Sequence, residues 1–381
     1  MSFIKDILKR ALPVPFLKDA FLTYNKIKIL TVDRILYPEF KIAPEEFIIN
    51  RKGYPFRESG ISIDDLLIGK VRGYMQSWYD WTQEEFLLVF NKNCIVEPEY
   101  GWAIVNSNRL LYYSLGVSRT WFQRKPSIFK LLGTKETQAI QKAISLRDTG
   151  EENYFHFYND VLGKLFFLQQ NGIAIKNIPI IVSKKTWSKE YFRYFLENSS
   201  LLQSLNWIVQ DKQYIQCESV IFCKPLTHRI DLWKLVTSLV VINKNSSGEN
   251  KVFITRAKAR LRFIENSIEI ETIATRLGFL VIDTDQLSMA EQIQLFSSTR
   301  YLIGIHGAGL TNLVYQNGSC KVLELFPPPD QGYLPYHYIL LAKMFGFQYS
   351  AMIGQPGKEK YSGGFYLPPD EFENQLLKFF I

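Results

Sequence analysis

From about residue 152 onward the chain alternates between short, wholly apolar runs and segments whose apolar positions recur every three to four residues. Ile178 to Val182, Trp207 to Gln210 and Ser219 to Phe222 read as buried strands, while Tyr154 to Gln170, Lys189 to Leu196 and Asp231 to Val240 read as helices. Such alternation predicts a largely parallel sheet between helices. The polar, turn-rich stretch Asn243 to Asn250 predicts a linker, after which the pattern restarts. Strands are expected at Lys251 to Thr255, Phe279 to Ile282, Tyr301 to Ile305 and Lys321 to Leu325, with helices at Ser267 to Leu277, Ser288 to Ser298 and Gly309 to Tyr315. Ser288-Met289-Ala290-Glu291 is a capping box, in which serine and glutamate oxygens satisfy the exposed N–H groups of a helix start.

The fold class is therefore α/β, with two Rossmann-like doubly wound domains facing across a cleft, at residues 86–242 and 251–381. Residues 1–85 form an N-terminal accessory region with Pro13, Pro15, Pro38, Pro44 and Pro55 and an aromatic cluster from Tyr74 to Trp81. Between 86 and 118, the runs Gly101 to Val105 and Arg109 to Tyr113 suggest a small antiparallel element. A chain of 381 residues exceeds what one core usually supports, in keeping with two domains.

Composition narrows the function classes. A hydrophobic fraction of 47% and a charged fraction of 22% belong to a soluble globular protein and argue against disorder or a fibrous class. The net charge of +8 favours an anionic partner. Nucleic acid is set aside because the Lys and Arg residues are scattered, without zinc-finger, RRM or basic-helix patterning. Phosphorylated small molecules and an anionic membrane surface remain. Cys94, Cys217, Cys223 and Cys320 lack CxxC spacing and sit in apolar contexts, as buried free thiols do in a reducing compartment. Residues 1–12 set Phe3, Ile4, Ile7, Leu8, Ala11 and Leu12 against Lys5, Lys9 and Arg10, which fits either a helix on a membrane surface or one packed on its own domain. No secretory signal and no run of 18 apolar residues is seen, so a cytoplasmic location is expected.

The most informative stretch is the strand Tyr301 to Ile305 running into His306-Gly307-Ala308-Gly309 and then Leu310-Thr311-Asn312. Glycines there let backbone approach a ligand, and the N–H groups and dipole of the following helix attract a diphosphate. The stretch departs from the dinucleotide fingerprint, because Asn312 stands where a third glycine is required. Glu324, near the end of the next strand, is placed either to accept ribose hydroxyls or as a solvated strand end. Arg256 follows a strand, with Arg260 and Arg262 close behind and Asn266 at the next helix start. These guanidinium groups suit diphosphate oxygens and a departing nucleoside diphosphate, or else form a basic surface loop. His156 and Asp160, four apart, share a helix face. Together they are equipped to orient and deprotonate a hydroxyl, though a core histidine satisfies the same spacing. Asp283-Thr284-Asp285 spells a metal-chelating DxD pattern but precedes the capping box, so it reads as a turn and no metal ligand is assigned.

The ordered combination of His156 with Asp160, Arg256, Arg262-Phe263-Ile264-Glu265-Asn266 with Glu269, Leu295-Phe296, Gly304 to Asn312 and Val322 to Pro327 resembles glycosyltransferase family 61. The similarity spans about residues 90 to 350, and Ser267 departs from it where relatives often carry glutamate. The resemblance implies a GT-B fold and inverting transfer of a sugar from a nucleotide-sugar donor, a UDP-sugar in the first instance. The acceptor would be a hydroxyl of a glycan or lipid-linked glycan in surface polysaccharide synthesis. It implies Asp160 and His156 as catalytic residues, with Arg256, Arg262, Asn266, His306, Gly307, Ala308, Gly309, Leu310, Thr311, Asn312 and Glu324 at the donor. No cofactor beyond the donor is called for, and dependence on a divalent metal stays open. The alternative is a non-catalytic nucleotide-sugar-binding subunit of a polysaccharide assembly complex.

Overall fold

A computed structural model describes residues 24, 27–28, 32–52, 82, 84–115, 125–126, 136–227, 229–241, 250–258, 262–316, 318–329, 335, 337–358 and 363–380. The amphipathic segment 1–12, the aromatic cluster 74–81, Arg260 and all of the expected linker except Asn250 lie outside them.

Two large sheets carry the structure. The first contains β1 (Phe47–Lys52), β2 (Glu84–Phe90), β3 (Cys94–Val96), β4 (Ala103–Val105), β5 (Arg109–Leu111), β6 (Thr137–Ser145), β7 (Ile180–Ser183), β8 (Trp207–Gln210) and β9 (Tyr214–Lys224). Four of these, in the order β9-β6-β7-β8, run parallel. The others join antiparallel, so the sheet is mixed rather than uniformly parallel. The antiparallel hairpin of β4 and β5 occupies the stretch where the sequence suggests one. The second sheet is parallel throughout, in the order β11-β10-β12-β13-β14, from β10 (Asn250–Ile254), β11 (Leu280–Ile282), β12 (Thr299–Ile305), β13 (Lys321–Phe326) and β14 (Gln348–Ile353). Parallel strands with crossover helices are buried on both faces, which accounts for runs such as Val252-Phe253-Ile254 and Leu302-Ile303.

The helices that position the site begin where the sequence marks them. Helix α1 spans residues 154–170, opening on the Asn153 cap, whose side chain accepts from the Phe155 N–H. Its middle, Phe157–Leu162, is wound as a π-helix before Gly163–Gln170 returns to α geometry. Helices α2 (Glu190–Asn198) and α4 (Ser267–Arg276) fall within a residue or two of expectation, while α3 (Ile230–Thr237) ends three residues before the expected Val240. Helix α5 (Met289–Ser297) carries the complete Ser288/Glu291 capping box. The turn after β12 becomes a 3-10 helix, Ala308–Tyr315. Helices α6 (His337–Met344) and α7 (Pro369–Phe380) complete the second sheet's layers.

One apolar core reaches from the first sheet to the second. Leu87, Ile144, Phe167, Ile180 and Trp233 belong to the same cluster as Val252, Leu302, Leu310, Tyr315 and Phe326. A second cluster, with Phe253, Ile305, Leu325 and Phe372, fills the far face of the parallel sheet. Among the described residues, no helix is long and apolar enough to cross a membrane.

Candidate functional site

The carboxyl ends of β10 and β12 open onto a cavity of about 380 Å³. From the second sheet it is lined by Thr255, Arg256, Gly307, Ala308 and Gly309, and from the first by Tyr154, Lys189, Glu190 and Tyr191. The edge of an α/β sheet is where backbone N–H groups and helix starts converge, so this is the ligand-collecting side of the fold.

The glycine turn is tightly fitted. A β-carbon at Gly304 would lie 2.4 Å from Leu310 Cδ2, so the 3-10 helix seats directly on β12. One at Gly307 would lie 2.6 Å from Arg256 Nη1, and Arg256 Nη1 donates to the His306 carbonyl at 3.1 Å. The guanidinium therefore occupies the space the missing side chain leaves, beside the first turn of Ala308–Tyr315. The first N–H groups of a helix have no carbonyl one turn behind them. A cation and these N–H groups thus face one cavity. Lys189, at the N-cap of α2, brings a second cation from the opposite wall.

Behind the turn, His306 is 6% exposed and Glu324 0%. Glu324 Oε1 lies 2.5 Å from His306 Nδ1, and Tyr349 donates to Oε2 at 2.5 Å. His306 also stacks on Phe326, with ring centroids 5.0 Å apart. A carboxylate with no exposed surface cannot touch a ribose. The expected ribose role of Glu324 is corrected to that of orienting His306, because the strand end is buried under β14 rather than open. Burial pushes the Tyr349 hydroxyl well up from its usual range, and the neighbouring Glu324 charge adds to that. Tyr338, packed edge-on against His306 at 5.4 Å, is also raised by burial and by Glu324, while Arg262 and Arg256 pull it back. The two arginines accordingly act on the same region. Arg262 holds a left-handed backbone, φ 70°, and its N–H donates to the Gly363 carbonyl at 2.7 Å. A non-glycine residue there is strained, which is the kind of conformation functional loops retain.

Other expected donor residues sit farther back. Leu310, Thr311 and Asn312 are fully buried. Asn312 accepts from the Tyr154 hydroxyl at 2.8 Å and donates to Gln292 at 2.8 Å, tying α1 to the second sheet. Asn266 exchanges hydrogen bonds with the Leu367 backbone at 2.9 and 3.1 Å. Neither residue lines the cavity.

A second cluster is on α1, outside the lining of that cavity. His156 Nδ1 lies 2.6 Å from Asp160 Oδ2, with the His156 side chain 19% exposed and that of Asp160 0%. Asp160 Oδ1 accepts from Asn159 at 2.8 Å and from Lys224 at 2.5 Å. Lys224 in turn reaches Asp148 at 3.1 Å, which Lys164 approaches at 3.0 Å. Two carboxylates and two ammonium groups thus form a buried, mutually paired cluster behind one partly open imidazole. The π turn holds Asn159, Asp160 and Tyr158 in this interior while His156 keeps an outer edge. Phe155 and Tyr338 rings, 5.7 Å apart, connect this region to the His306 neighbourhood.

Several lining residues are not marked in the sequence. Lys189 and Glu190 face the cavity only because α2 starts there, and Glu190 accepts from the Met289 N–H at 3.0 Å across the two sheets. Thr284 and Asp285 line it as well. Asp283 caps the turn they belong to, as expected, accepting from the Asp285 N–H at 3.1 Å. Among the described residues, no group of three or more His, Cys, Asp or Glu is arranged to hold a metal ion.

Residues 154–323 match the model of the family described as Glycosyltransferase 61. The matched segment starts on α1 and ends within β13, so it contains both the His156/Asp160 pair and the His306 to Asn312 turn. The match supports that family and a glycosyltransferase activity. No curated protein matches the chain.

Proposed function

We propose that this chain is an inverting, nucleotide-sugar-dependent glycosyltransferase of GT-B arrangement. On this reading it transfers a sugar, from a UDP-sugar in the first instance, to a hydroxyl of a glycan or lipid-linked glycan in surface polysaccharide synthesis. The observation that carries the proposal is the cavity where Arg256 and the Gly307-Ala308-Gly309 backbone face Lys189 and Tyr191. Two cations and a helix start suit the two phosphates of a nucleoside diphosphate.

In the reaction, the acceptor oxygen attacks the anomeric carbon as the bond to the diphosphate breaks, and the attacking hydroxyl loses its proton. On this reading His156 takes that proton, since it has an exposed edge and Asp160 does not. Asp160 fixes the imidazole through Nδ1, leaving Nε2 to accept, and its charge stabilises the imidazolium that forms. The leaving diphosphate is stabilised by Arg256, Lys189 and the helix N–H groups, all in place before the reaction. Leu310, Thr311, Asn312 and Glu324 support this arrangement from behind.

The test is transfer from a nucleotide-sugar panel by wild type, His156→Ala and Arg256→Ala. His156→Ala should lower transfer by about 10²- to 10⁴-fold while calorimetric affinity for UDP stays within twofold. Arg256→Ala should weaken UDP binding first. Transfer that survives in His156→Ala places the base elsewhere, and wild-type protein that binds nucleotide sugars without turnover is a binding subunit instead.

A further inference from the structure

The short helix Val32–Leu36 precedes the first sheet in the chain and is fixed to it from one side. Tyr37, just past the helix end, is buried in a core cluster with Trp102, Ile104 and Leu110, and Leu36 packs against that cluster. The Tyr37 hydroxyl donates to the Pro126 carbonyl at 2.6 Å, and Asn108 Nδ2 donates to the Leu36 carbonyl at 3.2 Å. Asp33, also buried, accepts from Lys28 at 2.8 Å. The inward side of this helix is therefore committed to the fold.

Its outward side is the reverse of what a surface helix usually presents, since it is apolar. Val32 is 46% and Ile35 80% exposed, and their spacing of three puts them on one face. Shortly before them Tyr24 and Ile27, also three apart and helical, are 62% and 59% exposed. Ten large hydrophobic side chains are exposed among the described residues, and four of them fall between positions 24 and 35. Exposed apolar residues scattered singly need no explanation, whereas a concentration of them marks a surface that meets something apolar.

The charge of the same stretch narrows what that is. Residues 1–36 contain seven Lys and Arg, three Asp and no Glu, a net charge of +4. The whole chain carries +8, so half of its excess lies in less than a tenth of its length. The basic residues are spread among Phe, Ile and Leu rather than gathered into one block. Apolar side chains mixed with Lys and Arg suit the boundary of an anionic bilayer, where the former enter the acyl region and the latter stay at the lipid phosphates. A second copy of the chain fits less well, because a stable dimer buries about 800 Å² on each partner, more than four partly exposed side chains supply.

We propose that the face of Tyr24, Ile27, Val32 and Ile35 seats on an anionic lipid bilayer, with the positive charge of residues 1–36 drawn to its phosphates. The proposal stands whether or not the cavity between the sheets takes a nucleotide sugar. A lipid-linked acceptor, if that is the substrate, is presented at such a surface.

The experiment is sedimentation of the full chain with vesicles of phosphatidylcholine alone and of an equimolar mixture of phosphatidylcholine and phosphatidylglycerol. Wild type should bind the mixed vesicles at least about tenfold more tightly than the neutral ones, and less tightly as salt is raised. Tyr24→Glu/Ile35→Glu should weaken binding to the mixed vesicles by at least about tenfold, whereas Tyr24→Phe/Ile35→Leu should retain it. Both positions are exposed, so the thermal midpoint of the glutamate variant should match wild type. The proposal is overturned if wild type does not bind the mixed vesicles or if the glutamate variant binds them equally well. It is also overturned if light scattering shows a wild-type dimer that the glutamate variant dissolves, which assigns the face to a second copy. A lowered thermal midpoint in that variant overturns it as well, because the face is then covered by the chain itself. Titration with UDP reports on the donor reading alone, so its failure is distinguishable from failure here.

Discussion

Replacing Gly307 by alanine probes the donor side through a single methyl group. Backbone strain is not the issue, because Gly307 has φ 161°, an extended conformation open to any residue. The added carbon would lie 2.6 Å from Arg256 Nη1 and 3.2 Å from Cζ. Ordinary contact requires the guanidinium to retreat by about 1 Å. That movement breaks the 3.1 Å hydrogen bond to the His306 carbonyl and withdraws the cation from the mouth of the helix. Losing one charge-assisted hydrogen bond costs about 1.5–3 kcal/mol, or roughly 10- to 150-fold in affinity. The assay is calorimetric titration of UDP into wild type, Gly307→Ala, Arg256→Ala and the double variant. Because both substitutions act on the same guanidinium, the double variant should be no weaker than Arg256→Ala alone. Wild-type affinity in Gly307→Ala, or fully additive losses in the double variant, would refute the reasoning.

Two further outcomes follow from buried and paired groups elsewhere. Burial pushes the thiols of Cys217, Cys223 and Cys320 up to about 12 and raises Cys94 as well. Native protein should therefore show no thiol reactive toward Ellman's reagent at pH 8, and four after unfolding; a fast-reacting thiol in the native state would contradict their placement. Hydrogen bonding from Arg229 holds the Asp231 carboxyl down at about 2, against an ordinary 3.8. A depressed carboxyl stabilises above its unfolded value and loses that contribution as pH falls toward its folded one. Asp231→Asn should thus lower stability above about pH 4 by less than about 1 kcal/mol, since the side chain is 44% exposed. In denaturant titrations the gap should close between about pH 4 and pH 2, and a gap independent of pH would refute it.

The second sheet was largely legible because its strands are buried on both faces and so read as continuous apolar runs. Strand β6 was not. Thr137 to Lys142 is mostly exposed and polar, without a two-residue period, although it pairs with both β9 and β7. Strand β9 was read too short, because Gln216 and Glu218 interrupt its first half. At the site, the i and i+4 spacing of His156 and Asp160 announced their pairing, since helical geometry is local. The burial of Asp160 depends on Lys224, 64 residues away, which no local pattern reveals. Glu324 was ambiguous for the same reason, as Tyr349 closes over it only once β14 joins β13. Lys189 and Glu190 face the cavity through the docking of α2, a tertiary fact with no mark in their own segment.

The core that joins the two sheets bears on how substrates come and go. Tyr158 and Tyr315, hydroxyl to hydroxyl at its centre, are both fully enclosed, and Tyr154 bridges to Asn312 beside them. Prising the sheets apart like a jaw would flood these phenols and the surrounding aliphatic packing with solvent, a large penalty for each turnover. Traffic is therefore left to the surface loops at the rim, and the mouth can adapt while its foundation stays still.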